Sequence, residues 1–185
     1  MEPLEILRNE HGLIRQLIDN LSLAGEKMAD GERVPTEFFA KAVLFAKTFA
    51  DEFHHTKEEY VMFVRLAQKK GGAMDGEIES LRHQHEHARG YMSAISSALN
   101  GYDEGNPIRT SDILENMGAY IVMMRAHIHK EDHVFFPMVA DEFSDDEMAQ
   151  VKAEFEKVKE KAGGEKFEEG HKLVVELGSI LQHMN

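Results

Sequence analysis

HHTKEEYVMF at residues 54–63 and HIHKEDHVFF at residues 127–136 share His, Lys, Glu, Val and Phe at matching places, 73 positions apart. Each phrase sets a histidine four residues before a glutamate: His54 and Glu58, then His127 and Glu131. Four helical residues leave a net rotation of about 40° and a rise of about 6 Å. Imidazole and carboxylate therefore share one face, as donors to a common ion would. Two further phrases repeat at nearly the same offset. His11 precedes Arg15 in EHGLIR, and His85 precedes Arg89 in QHEHAR, 74 positions later.

Together these phrases offer four neutral nitrogen donors and two carboxylates. Imidazole with carboxylate suits iron and related transition metals. Two octahedral ions need about twelve coordination positions. Two bridging carboxylates, four imidazoles and one bridging oxide or hydroxide leave about two positions open for a small ligand. Glu59 and Asp132 follow the paired glutamates at equivalent places. With Arg15 and Arg89 they read either as partners that orient the histidines or as surface ion pairs.

Such donors converge only if helices carry them. Turn signals at DGERVPT, KKGGAMDG, NGYDEGNPIRT and Gly163–Gly164 divide the chain. Between them apolar residues recur at helical spacing, without strand-like alternation. The pattern predicts four long helices over 3–29, 36–69, 76–100 and 110–142, and a shorter pair over 145–162 and 165–183. Short connections favour an all-α, up-down-up-down four-helix bundle with an additional C-terminal helical pair. The expected organisation is one domain, 1–185, with the metal-binding bundle in 1–143 and the extension in 144–185.

Composition narrows the function. The chain has 185 residues, 34 acidic against 21 basic, and a formal charge of −13. That argues against nucleic-acid partners and anionic membranes. No apolar run reaches the length of a bilayer span, and the N-terminus lacks signal-peptide character, so a cytoplasmic protein is expected. The absence of cysteine removes thiolate zinc sites, iron–sulfur clusters and disulfides.

At this point the sequence resembles the hemerythrin-like family, the HHE cation-binding domains. The resemblance rests on HHTKEEYVMF, HIHKEDHVFFP and the two His-xxx-Arg phrases, and covers roughly residues 3–140. It implies a four-helix bundle around a non-heme di-iron centre, held by His11, His54, Glu58, His85, His127 and Glu131. Oxygen carriers of the family present two histidines four apart in the third helix. Here His83 and His87 have that spacing, but His85 fits the repeat. A single third-helix histidine resembles a branch linked to nitric oxide responses and iron–sulfur repair, and that branch commonly carries a cysteine-bearing segment not found here.

Other histidines have less pointed readings. His55, His129 and His133 are expected off the inner face and solvated. His171 is either an extra ligand or a surface residue. Met62 and Phe135 are either an apolar lid or ordinary core, and Tyr60 and Tyr91 point away from the metals. Glu52–His55 and Glu168–His171 have the Glu-xx-His spacing of ferritin-like iron oxidases but lack the repeat symmetry. The expected function is binding or sensing of dioxygen, nitric oxide or peroxide at the irons, with a separate redox or signalling partner for a sensor. The alternative is a di-iron enzyme: a peroxidase, a nitric oxide reductase or an iron donor for cluster repair. With four histidines, the reduced centre is expected to autoxidise rather than cycle with oxygen.

Overall fold

The computed structural model describes residues 1–184, apart from the side chain of Lys70, and among these residues there are helices and no strand. Helix α1 spans Pro3–Ala29, with Pro3 in the first turn, where a missing N–H costs nothing. Helix α2 is one rod over 36–67, α-helical at Thr36–Phe45 and Phe63–Ala67, with π-helical stretches at Ala46–His55 and Glu58–Met62. Helix α3 spans Asp75–Asp103. Helix α4, over 107–142, joins Pro107–Lys130, a π turn at Glu131–Phe135, and Phe136–Glu142. Its start is capped by Asn106, whose side chain accepts from the Ile108 N–H at 2.9 Å. Helices α5 (Asp145–Lys161) and α6 (Lys166–Gln182) complete the chain. The predicted capping box is present: Ser144 accepts from the Glu147 N–H, and Glu147 accepts from the Ser144 N–H.

Contacts fix how the long rods lie. Thr36 meets Asp103 and Glu59 meets His85, so α2 and α3 run antiparallel. Gly101 abuts Arg109 while Glu77 meets Lys130, so α3 and α4 do too. Asp132 bonds His11 and Arg125 bonds Asp19, which sets α4 antiparallel to α1.

Two apolar cores form inside these rods. One gathers Leu13, Leu17, Phe39, Phe45, Phe49, Ile95, Met117, Tyr120 and Met124 with Val174, Leu177 and Leu181 of α6. The other gathers Leu4, Leu7, Met62, Phe63, Leu66, Ile78, Leu81, Phe136 and Val139 with Val151 and Phe155 of α5. The C-terminal pair therefore supplies side chains to both cores. Gly170 lets α6 close on α2, since a Cβ there would stand 2.6 Å from the Phe49 ring. No helix among the described residues is long and apolar enough to cross a membrane.

If α5 belongs to the second core rather than resting on it, truncating Phe155, 1% exposed, has a core-sized cost. Phe155→Ala should destabilise the protein by about 3–5 kcal/mol in urea unfolding. A loss under about 1 kcal/mol would mean that α5 is a loose appendage.

Candidate metal centre

Between the two cores lies a buried polar belt: Glu10, His11, His54, His55, Lys57, Glu58, His85, His127 and Glu131. All six residues singled out by the repeat are in it. Helix α1 contributes His11, α2 contributes His54 and Glu58, α3 contributes His85, and α4 contributes His127 and Glu131. Their donor atoms converge. Nε2 of His11 and Nε2 of His127 each lie 3.2 Å from Oε2 of Glu131. Nε2 of His85 is 3.4 Å from Oε2 of Glu58, and Nε2 of His54 is 3.5 Å from Oε1 of Glu58. Nε2 of His85 and of His127 approach to 3.2 Å.

These are not hydrogen-bonded contacts in the main. All four oxygens of Glu58 and Glu131, and Nε2 of His11, are buried without a hydrogen-bond partner. An isolated buried carboxylate costs several kcal/mol, which a protein tolerates only with a compensating charge. A metal ion fits the spacing. Two donors about 2.1 Å from one ion and at right angles to each other lie about 3 Å apart. One donor group is His11, His54, Glu58 and Glu131; a second is His55, His85 and His127; within each group the donor atoms lie within 4.8 Å of one another.

The outer nitrogen of each predicted histidine is held. Nδ1 of His11 donates to Asp132 at 2.9 Å, and Nδ1 of His85 donates to Glu59 at 2.7 Å. Arg15 bonds that aspartate and Arg89 bonds that glutamate. Both acids and both arginines are thus partners that orient histidines. Nδ1 of His54 donates to Glu10 at 2.9 Å, and Nδ1 of His127 donates to Oε1 of Gln84 at 2.7 Å. Because these partners accept, the proton sits on Nδ1 and the Nε2 lone pair faces inward, the tautomer a metal requires.

Electrostatics follow burial. His54 falls well below its ordinary value through burial and the neighbouring imidazoles, and His127 is pushed down to about 3, chiefly by burial. His11 moves the other way: burial opposes its charge, but the hydrogen bond to Asp132 and the adjacent Glu131 carboxylate raise it. Burial, reinforced by Glu131, drives Glu58 up; around Glu131 burial is outweighed by His127 and His11, which hold it down.

The structure corrects one expectation. His55 is not solvated: it is 3% exposed, its ring stacked on His85 at 3.7 Å between centroids. Simple α-helical bookkeeping turns His55 about 100° from His54. The π-helical stretch ending at His55 widens the turn and lets both residues point inward. By contrast His83, His87, His129, His133 and His171 are exposed, as are Glu52, Glu168 and Tyr60. The Glu-xx-His pairs therefore build no site. Met62 and Phe135 are core; the rings flanking the centre are Phe63 over His85 and Phe136 over His11, at 6.1 and 5.5 Å.

Sequence reasoning also passed over Glu10, Gln84 and Lys57. Glu10 precedes His11 just as Gln84 precedes His85, so the repeat carried that signal. Lys57, 1% exposed, bonds Glu10 and lies over the Phe53 ring at 3.2 Å. No spacing announced it. A cleft of about 380 Å³ opens between α2 and α3, with Lys47, Ser93, Ser96 and Ser97 at its rim and Ala50, His55, Ala88 and Tyr120 buried along its floor.

The fold and the belt define a helical protein whose buried histidines and carboxylates could hold a metal ion. The chain belongs to the hemerythrin HHE cation-binding domain family, whose model matches residues 2–139. Uncharacterized proteins of Mycobacterium tuberculosis and Mycobacterium bovis are each 26% identical to it over 164 residues, covering 87% of this chain and 62% of the relative. The chain thus spans about three-fifths of the length of the curated relatives it matches. No solved structure matches it.

Two outcomes follow from this geometry. His85→Ala should strip much of the bound metal, whereas His83→Ala and His87→Ala, on exposed faces, should leave it nearly unchanged; metal content of the purified variants decides, and the reverse pattern refutes the placement. The second concerns pH. In metal-free protein His54, His55 and His127 are held neutral, His55 down to about 4, while the unfolded chain protonates near 6.5. At these three sites the unfolded state binds more protons, so their contribution to stability is full above pH 6.5 and falls as the pH drops. At pH 5 each of the three removes up to about 2 kcal/mol, while His11, Glu10 and Glu58, whose values are raised, contribute in the opposite direction. Replacing one of the three isolates its share: in chelator-treated protein the Tm of His55→Ile relative to wild type should rise between pH 7.5 and 5, and a constant difference contradicts the reading.

Proposed function

We propose that the protein holds two non-heme iron ions joined by an oxide or hydroxide and binds or senses a small oxidant there. The six residues that would hold the irons are His11, His54, Glu58, His85, His127 and Glu131. The reading takes residues 1–143 as an up-down-up-down metal-binding bundle and 144–185 as a helical extension of the same domain. The observation that carries it is the pair of buried glutamates whose four oxygens have no hydrogen-bond partner while imidazole Nε2 atoms surround them. Iron with nitrogen and oxygen donors supplies redox chemistry and affinity for dioxygen, nitric oxide or peroxide.

The chain's own residues set the conditions for that chemistry. Asp132, Glu59, Glu10 and Gln84 fix the imidazole tautomers, and Phe63 and Phe136 keep the flanks apolar. Carboxylates outside the ring hold negative charge close to the cations: Asp132 and Glu59 are each drawn down to about 2, against the pull of burial, by their histidine and arginine partners. A second reading, an enzyme acting with an organic co-substrate, is favoured by the cleft that reaches His55. A partner protein would serve the sensing reading.

Purified protein loaded with iron should retain about two ions per chain and, when oxidised, absorb in the near ultraviolet. Retention of one ion or none refutes the dinuclear reading. The reduced protein should bind nitric oxide and be oxidised irreversibly by oxygen. Stopped-flow spectra that change with oxygen and revert under vacuum would instead indicate a carrier. Sustained turnover of peroxide with an added reductant would favour the enzyme.

A further inference from the structure

His55 is the buried imidazole of the belt that the internal repeat does not account for. Its counterpart 73 positions later is Ile128, an apolar core residue. The two halves are therefore unequal at this place. Both ring nitrogens of His55 are buried without a hydrogen-bond partner, although the ring is 3% exposed. A buried imidazole in that condition has lost its water without replacement, and a bound ion is one of the few things that would offset that loss. The surroundings say which. One nitrogen of His55 lies in the cluster formed with His85 and His127, all within 4.8 Å. On its outer side Nδ1 faces Oδ1 of Asp51 at 3.5 Å, and Asp51 is held by Arg89 at 2.6 Å. Arg89 also holds Glu59, the partner of His85. His55 thus shares the arrangement of His11, His54 and His85, with an acid beside Nδ1 and the other nitrogen left for the centre.

We infer that His55 is a seventh metal-binding residue, which gives one metal position three imidazoles, His55, His85 and His127, against two, His11 and His54, at the other. The inference rests on the dinuclear reading above. Glu58 lies beside His54 and His85, and Glu131 beside His11 and His127, so both carboxylates would serve the two positions and the extra nitrogen would make them inequivalent. The His11–His54 position keeps the room for a small anion. The cleft between α2 and α3 then ends on a metal-held imidazole and not on an open position.

The test uses the full chain loaded with ⁵⁷Fe, and the variant His55→Ile, which installs the residue found at the equivalent place. Wild-type protein should show two Mössbauer quadrupole doublets of equal area, and azide should shift one of them. In His55→Ile the second equivalent of metal should bind roughly ten- to a hundredfold more weakly in chelator competition. Whatever iron remains at that position should respond to azide. Metal-free His55→Ile should unfold at or above the wild-type temperature; should it fail to fold, His55→Gln keeps the polarity and serves the same comparison. Two irons in one shared environment, or a variant with unchanged affinity and spectrum, overturns the assignment of His55 and leaves the dinuclear centre standing. Wild-type protein that holds one iron or none overturns both.

Discussion

Glu58 and Glu131 are fully buried between two apolar cores, with no hydrogen-bond partner for any of their oxygens. Negative charge in that setting is costly, and the low local dielectric that makes it costly also strengthens any interaction that offsets it. The rest of the belt follows from this constraint. Imidazoles face the carboxylates from all four long helices, and each of the four repeat histidines is backed by an acceptor on its outer nitrogen. Those acceptors are in turn anchored, Asp132 by Arg15, Glu59 by Arg89 and Glu10 by Lys57. Charge is balanced outward in steps until it reaches the half-exposed arginines, where water completes the balance.

The duplication of a two-helix unit explains why the belt is nearly symmetric, and its departures are chemically pointed. Glu10 and Gln84 occupy equivalent places, but only Glu10 carries charge, and only it is met by a buried lysine. The lysine equivalent to Lys57 is Lys130, which turns outward to Glu77 at 2.6 Å. His54 therefore hydrogen-bonds to a carboxylate and His127 to a neutral amide. A donor bonded to an anion is the more basic, so the two halves differ in character before any ion enters.

Helix geometry carries part of the design. The π-helical turns fall on the two stretches that bear the His-xxx-Glu pairs. Such turns widen the helix and re-aim side chains, at the cost of poorer backbone packing. Phe53, within one of these turns, and Phe63 and Phe136, which directly follow the other two, are all buried. The C-terminal helices stabilise the arrangement from outside, α6 through Val174, Leu177 and Leu181 in one core and α5 through Val151 and Phe155 in the other.

Much of this was legible in the linear sequence, because helical periodicity and a repeat are local properties. Turn and cap signals gave the six helices to within three residues of their observed ends and the capping box at Ser144, and spacing at 3.6 residues per turn gave the convergence of His11, His54, Glu58, His85, His127 and Glu131. The choice of His85 over His83 and His87 followed from the offset, and the latter two are exposed. What spacing could not say is which acceptor meets which nitrogen, since Glu10 reaches His54 across 44 positions and Asp132 reaches His11 across 121. Nor could it bury His55 or Lys57. Those side chains are placed by helix packing and by a local widening of α2, and only the assembled tertiary structure decides either one.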